Sequence, residues 1–272
     1  MLKNSLFFVC LGMTSATSVM AGEFNCMIEP TQIIELGSSV AGRVTQVHAK
    51  RGDVVTKNQI LVTLESSAEK AASELAKFKS VQAGPAKIAE SKIEFSIKKL
   101  NRRQEMVSQK LMAAQDSEDI ESEVRLAEAE LKVAQENRQI AKLELQQQNS
   151  LLNLRSVRSP VSGVVVDQAV YTGEVFEPGS SKKYILKIAE INPLKVHVIL
   201  PKSMFGKLKL GLTGKVTSEL VSTENYLAKV TMIDKLIDGA SGTFVVFLEM
   251  QNPKLQIPAG IKCKVSFADS HS

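Results

Sequence analysis

Residues 116–154 read DSEDIESEVRLAEAELKVAQENRQIAKLELQQQNSLLNL, and their periodicity decides the fold. The positions Ile120, Val124, Ala127, Leu131, Ala134, Arg138, Ala141, Leu145, Gln148 and Leu152 recur in alternating steps of four and three. That is the heptad spacing of a coiled-coil seam. Leu126, Val133, Ile140 and Leu154 form a second stripe, expected to widen the packed face. No Gly or Pro falls between Ala113 and Ser159, and the remaining positions are largely Glu, Lys, Gln, Arg and Ala, which are good helix formers. At about 1.5 Å per residue, such a helix is a rod of roughly 60 Å. It is too long to fold inside an ordinary domain, so it projects and needs a partner.

The chain just upstream supplies one. Ile93, Ile97, Leu100, Gln104, Val107 and Leu111 repeat the same spacing, and the short interval Met112–Glu118 favours antiparallel neighbours. The expectation is a helical hairpin. Counted from its tip, the first arm is longer than the second, and Gly84-Pro85 interrupts it. Proline inside a helix loses a hydrogen bond and clashes with the preceding turn. A kink or small loop is therefore expected near Gln82 to Pro85, with a new helix starting at Pro85.

The chain has 272 residues, 44% of them apolar, enough for two or three small modules. A formal charge of +5, interleaved with acids along the hairpin, and the absence of Trp argue against nucleic acid. Lys3, the apolar run Leu6–Met13 and Val19-Met20-Ala21 read as a secretory leader cut after Ala21. That run is too short to span a bilayer. Beyond the leader two cysteines remain, Cys26 and Cys263. After export they could form one disulfide or stay as two buried thiols.

On either side of the hairpin the pattern is β. Val40-Ala41-Gly42-Arg43-Val44 and Gly52-Asp53-Val54 come before it; Val161-Ser162-Gly163-Val164-Val165 and Gly173-Glu174-Val175 come after. The two stretches are weak copies, each too small to bury a core alone. Together they could form one β-sandwich with the hairpin inserted. Further on, Leu194–Leu200, Gly214–Glu219, Tyr226–Ile233, Thr243–Met250 and Lys262–Phe267 alternate in period two, as in a small antiparallel barrel. Pro201–Lys209 suits a short helix between the first two of these strands.

This arrangement resembles the periplasmic adaptor (membrane fusion) proteins of tripartite efflux pumps. The paired half-motifs look like that family's split biotinyl/lipoyl-like domain, and Arg158–Val165 is similar to its second half-motif. The resemblance implies an elongated α+β fold built from a β-barrel, a split lipoyl/biotinyl-like β-sandwich and an antiparallel α-helical coiled-coil hairpin. Along this chain it gives a signal peptide at 1–21, the first barrel strand at 22–35 and a first half-motif at 36–65. The hairpin follows at 66–156, broken near 82–85 with its tip near 112–118; then come a second half-motif at 157–191, the barrel at 192–268 and a tail at 269–272. The family's tip motif of Arg, Leu and Ser maps onto Arg102, Met106 and Ala113, where Met keeps the bulk and Ala loses the hydroxyl. Arg102 would bind carbonyls or carboxylates of an outer-membrane channel through its planar fork. The family's topology also carries Cys26 toward Cys263, which keeps the disulfide in play beside the two free thiols. Asp238–Thr243 resembles the family's turn before the last long strands, and little chain follows Phe267 for the further membrane-proximal domain that many adaptors carry.

No catalytic constellation is visible. His48, His197 and His271 are isolated, and the methionines lack the close spacing of a soft-metal site. No phosphate-binding loop occurs. A carrier of biotin or lipoate needs a lysine at the turn joining its halves, where the hairpin stands here. The expectation is therefore a non-enzymatic adaptor in the periplasm, with no cofactor and no nucleic-acid partner. It would self-associate into a ring that links an inner-membrane exporter to a trimeric outer-membrane channel. The exporter would be of the resistance-nodulation-division type, with an ABC-type exporter as the alternative. A structural envelope coiled coil and a metal-delivery protein of the same fold are the other readings.

Overall fold

The computed structural model describes residues 22–111, 115–220 and 224–267. The leader, the tail at 269–272, His271 and Ala113 lie outside the described residues. In chain order the strands before the hairpin are β1 (Glu23–Leu36), β2 (Gly42–Val47), β3 (Val54–Val55) and β4 (Ile60–Leu64). Helices α1 (Ser67–Val81), α2 (Gly84–Ser108) and α3 (Gln115–Asn153) come next. They are followed by β5 (Ser156–Arg158), β6 (Gly163–Gln168), β7 (Val175–Phe176) and β8 (Leu186–Pro201). The last strands are β9 (Thr213–Ser218), β10 (Asn225–Ile233), β11 (Thr243–Met250) and β12 (Ile261–Phe267). The chain divides into two units: Ile34–Ile188, and the segment up to Ile33 together with Ala189 onward.

In the Ile34–Ile188 unit, strands of the first half-motif pair with strands of the second. β3 pairs with β6, β4 with β5, and β2 with β7. Gly52 donates its amide to Val165 O at 2.8 Å, and Gly173 donates to Val44 O at 2.8 Å. Both glycines sit at positive φ, +97° and +93°, where an L side chain is strained. The core draws on both halves, with Val44, Leu61, Val62 and Leu64 against Val165, Phe176, Ile185 and Ile188. Neither half contains that core alone, which is why the hairpin can interrupt the domain without unmaking it.

The hairpin leaves from β4 and returns into β5, neighbours in one sheet with Val62 opposite Val157. Glu65 starts α1 by accepting the amides of Ser66 and Ser67, each at 3.1 Å, which satisfies two donors that a helix start leaves open. Gln82 is extended, with ψ 121°, and ends α1; α2 starts at Gly84 with Pro85 in its first turn. The α3 seam is buried or half-buried from Ile120 to Leu152 except at Arg138, which is exposed. On α2 the shielded positions along the seam are Ala86, Ala89, Ile93, Ser96, Leu100, Arg103 and Val107, with Lys99 half-buried beside them. Ser96 thus takes the place expected of Ile97, and Arg103 that of Gln104. Along α1 beyond Glu69, the shielded residues Ala72, Ser73, Ala76 and Ser80 are all small.

The other unit is a closed barrel in the order β1, β12, β9, β10, β11, β8 and back to β1. Ile28, Val196, Val198, Leu200, Val216, Val246, Leu248 and Val265 alternate inward and fill it. Asn252 is buried at 3% exposure and donates through Nδ2 to Ile191 O and Ile257 O, while its Oδ1 accepts from Ile257 N. Its side-chain amide is thus satisfied inside an apolar core. The helix expected at Pro201–Lys209 is only a single 3-10 turn, Lys202–Met204. Gly206 at φ 83° turns the chain out of helical geometry immediately afterwards.

Candidate docking surfaces

α2 ends in a Schellman cap. Leu111 N donates to Met106 O and Lys110 N to Val107 O, both at 2.9 Å, and Lys110 occupies the left-handed position at φ 58°. Of the three expected tip residues, Arg102 and Met106 lie one turn apart on α2; both are exposed. Arg102 Nε donates to Lys98 O at 3.2 Å. The carbonyl of Met106 closes the cap while its side chain stands out.

The second stripe on α3 does not widen the seam. Leu126, Val133 and Ile140 are more than half exposed, as are Ile88 and Phe95 on α2. Cross-helix ion pairs show how these residues are grouped. Lys92 bonds Glu130 at 2.6 Å, and Lys99 bonds Glu123 at 2.8 Å. Ile88 and Phe95 stand four before and three after Lys92; Leu126 and Val133 stand four before and three after Glu130. Residues three and four apart are surface neighbours on a helix. The ion pairs therefore run between two rows of apolar knobs on one flank of the seam. Arg102 continues the row Ile88, Phe95 at the next heptad step, and Met106 continues Lys92, Lys99. The opposite flank carries a shallow groove of about 380 Å³ lined by Ile93, Ile97 and Leu131 with Glu90, Glu94 and Lys98. Phe95 lies between Ile93 and Ile97 in sequence, so knobs and groove stand at one height. Reading apolar residues only as seam missed this division. The seven-residue spacing of Ile88 and Phe95, and of Leu126, Val133 and Ile140, was the available signal.

At the hairpin base Arg155 holds Glu69 through Nε at 3.0 Å and Nη2 at 2.6 Å, and its Nη1 donates to Ala41 O at 2.9 Å. One guanidinium thus ties the end of α3, the start of α1 and the approach to β2. The Glu69 carboxyl is held below its ordinary value first by its own backbone amide and then by Arg155.

In the barrel, Cys26 and Cys263 are register partners on β1 and β12, with Sγ atoms 2.09 Å apart. His197 packs on the ring of Phe247 at 5.0 Å, with Nδ1 3.4 Å from Glu29. His48 Nε2 lies 2.8 Å from Thr63 Oγ1. Among the described residues no three His, Cys, Asp or Glu side chains gather as a metal site, and no helix is long and apolar enough to cross a membrane.

The comparisons with known proteins follow the same geometry. The family described as CzcB-like, barrel-sandwich hybrid domain matches residues 32–190. The pyoverdine export membrane fusion protein PvdR of Pseudomonas aeruginosa is 21% identical over 208 residues, covering 76% of this chain and 53% of PvdR. Multidrug resistance protein MdtA of Xenorhabdus bovienii is 26% identical over 231 residues, covering 83% of this chain and 52% of MdtA. The chain spans about half the length of these relatives. The crystal structure of MacA from Actinobacillus actinomycetemcomitans has the same fold, with a TM-score of 0.70 at 18% identity over 91% of this chain and 78% of that one. With the family match spanning both half-motifs and the hairpin between them, this chain belongs to the CzcB-like barrel-sandwich hybrid family.

Proposed function

We propose that the protein is a non-enzymatic periplasmic adaptor, exported by a cleaved leader, that joins an inner-membrane exporter to a trimeric outer-membrane channel. The observation that carries this reading is the origin of the hairpin between two hydrogen-bonded strands, β4 and β5, of one interlocked domain. A hairpin held at both ends in that way is a rigid arm, and Arg102 and Met106 stand exposed near its tip. Kinship with proteins named for export and multidrug resistance supports the same role. A photo-reactive residue at position 102 should capture the channel in intact cells. Arg102→Glu should abolish export while changing stability by less than about 0.5 kcal/mol, as exposed sites do. Normal export by that variant removes the tip assignment.

Copies of the chain assemble side by side into a ring. Knobs on one flank and a groove on the other, at one height, support a head-to-tail contact, the kind that closes by rotation. The exporter is of the resistance-nodulation-division type, a choice supported by the Asp238–Thr243 turn. There the Asp238 carboxylate accepts the amides of Ala240 at 2.8 Å and Ser241 at 3.1 Å. Dissipating the proton gradient while ATP is maintained should stop export; continued export points to an ABC partner.

A further inference from the structure

We propose that one end of the barrel, formed by residues 202–212 and 234–242, rests on an anionic lipid surface. β8 and β10 finish at this end, and β9 and β11 begin there. The two loops are joined: Lys202 N donates to Gly242 O at 2.9 Å, Thr243 is the register partner of Pro201, and Phe205 meets Phe244 edge-on at 5.3 Å.

The loops divide their apolar residues. In Lys207-Leu208-Lys209-Leu210, Leu208 is buried in the barrel core while Leu210 is 68% exposed. Leu236 is 77% exposed, and Phe205 and Ile237 are exposed beside them. Exposed apolar groups gathered at one end mark a contact surface rather than ordinary scatter. Their charged neighbours identify what is contacted. Lys202, Lys207, Lys209 and Lys235 are exposed, and none has an ion pair or a side-chain hydrogen bond among the described residues. The two acids of these loops turn inward on the backbone, Asp234 to the amide of Leu236 and Asp238 to those of Ala240 and Ser241. The result is a cationic rim around projecting apolar tips. A protein partner would need a matched pocket for each tip, whereas the headgroup region of an anionic bilayer takes them all and neutralises the lysines.

Cosedimentation of the purified protein with vesicles tests this, with no exporter or channel present, so the outcome is separate from that of the adaptor reading. Vesicles of phosphatidylcholine with about one-third phosphatidylglycerol should bind the protein, more weakly as salt rises, and phosphatidylcholine alone should bind it poorly. Each lysine near the surface contributes about fivefold, so Lys207→Gln with Lys209→Gln should weaken binding by at least tenfold. Leu210→Ser with Leu236→Ser should weaken binding at every salt concentration. Lys254→Gln, on the loop at the barrel's other end, should change nothing. Melting curves matching the parent establish that the variants fold. Absence of binding to anionic vesicles, or binding indifferent to both double variants, overturns the proposal. So does capture of a protein alone by a photo-reactive residue at position 236 in cells.

Discussion

Gly52 donates its amide to the carbonyl of Val165, and the relation returns in reverse. Val165 donates to Asp53 O at 3.0 Å, while Gly173 and Val44 repeat both bonds, with Val44 donating to Glu174 O at 2.8 Å. The side chains follow the same local twofold. Asp53 accepts from Lys50 N at 2.8 Å as Glu174 accepts from Tyr171 N at 3.0 Å. Ser38 Oγ donates to Val40 O at 2.7 Å as Ser159 Oγ donates to Val161 O at 2.6 Å. Each half thus holds the turn of the other.

The two turns should therefore fail alike. No atom lies within 4 Å of a Cβ built at Gly52 or Gly173, so alanine fits and the cost is backbone strain alone. Gly52→Ala and Gly173→Ala should each destabilise by about 1–2 kcal/mol. Asparagine, which this chain already places at φ 68° in Asn58, should cost much less. Urea denaturation of the four variants measures this, and a harmless alanine at either turn contradicts it.

The Arg155–Glu69 pair gives the hairpin base a pH dependence. The folded carboxyl titrates below its ordinary value of 4.5, so its contribution is present above that value and is lost as pH falls through the lower folded one. Thermal melts between pH 7 and pH 3 should show Glu69→Gln less stable than the parent at neutral pH, with the difference closing in acid. A constant difference across the range would show that the charge on Glu69 is irrelevant.

The α3 seam was legible because its heptad steps persist over ten positions, so errors of phase cannot accumulate. On α2 the shared positions Ile93, Leu100 and Val107 fit two phases, and counting only large apolar residues selects Ile97 over Ser96. The structure takes the other phase, with Ser96 and Ala89 buried on α2 and Ala127 on α3. Small residues let helix axes approach, an effect that hydrophobicity does not reveal. The half-motifs were legible through their repeated glycine turns, but the pairing of every first-half strand with a second-half strand is long-range and invisible to local pattern. Pro201–Lys209 misled for a different reason. Alternating Lys and Leu suits a helix by composition, and Gly206 decides otherwise through its φ.

Lys110 caps α2 where glycine is the usual residue. Its positive φ costs roughly 1 kcal/mol for an L side chain. Lys110→Gly keeps both cap hydrogen bonds and should raise stability by about 0.5–1 kcal/mol, as read by a calorimetric melt. An unchanged or lower melting temperature would show that the lysine side chain stabilises the tip in another way.

Cys26 and Cys263 face each other across β1 and β12, so in an oxidising compartment the protein is expected to carry a bridge between the barrel's first and last strands. A link closing so long a loop typically contributes about 2–4 kcal/mol. Reduction should lower the melting temperature of the parent and leave that of Cys26→Ser/Cys263→Ser unchanged. Mass spectrometry finding both thiols free in periplasmic material rejects the bridge.

The proposed ring makes the last prediction. In a head-to-tail contact Phe95 of one copy meets the Ile93, Ile97 and Leu131 groove of the next, whereas a twofold pair would bring Phe95 to Phe95. Positions 95 and 97 lie about 200° apart around α2, so cysteines there cannot bond within one chain. Under mild oxidation, Phe95→Cys/Ile97→Cys should give a ladder of covalent oligomers, and Phe95→Cys alone should give none. Phe95→Asp, which sets a charge against the groove, should abolish the ladder when added to a cross-linkable pair elsewhere in the same contact, such as Val133→Cys with Glu94→Cys. Dimers from Phe95→Cys alone would establish the twofold arrangement instead. That arrangement uses up the knob flank in each pair and cannot continue into a ring through this contact.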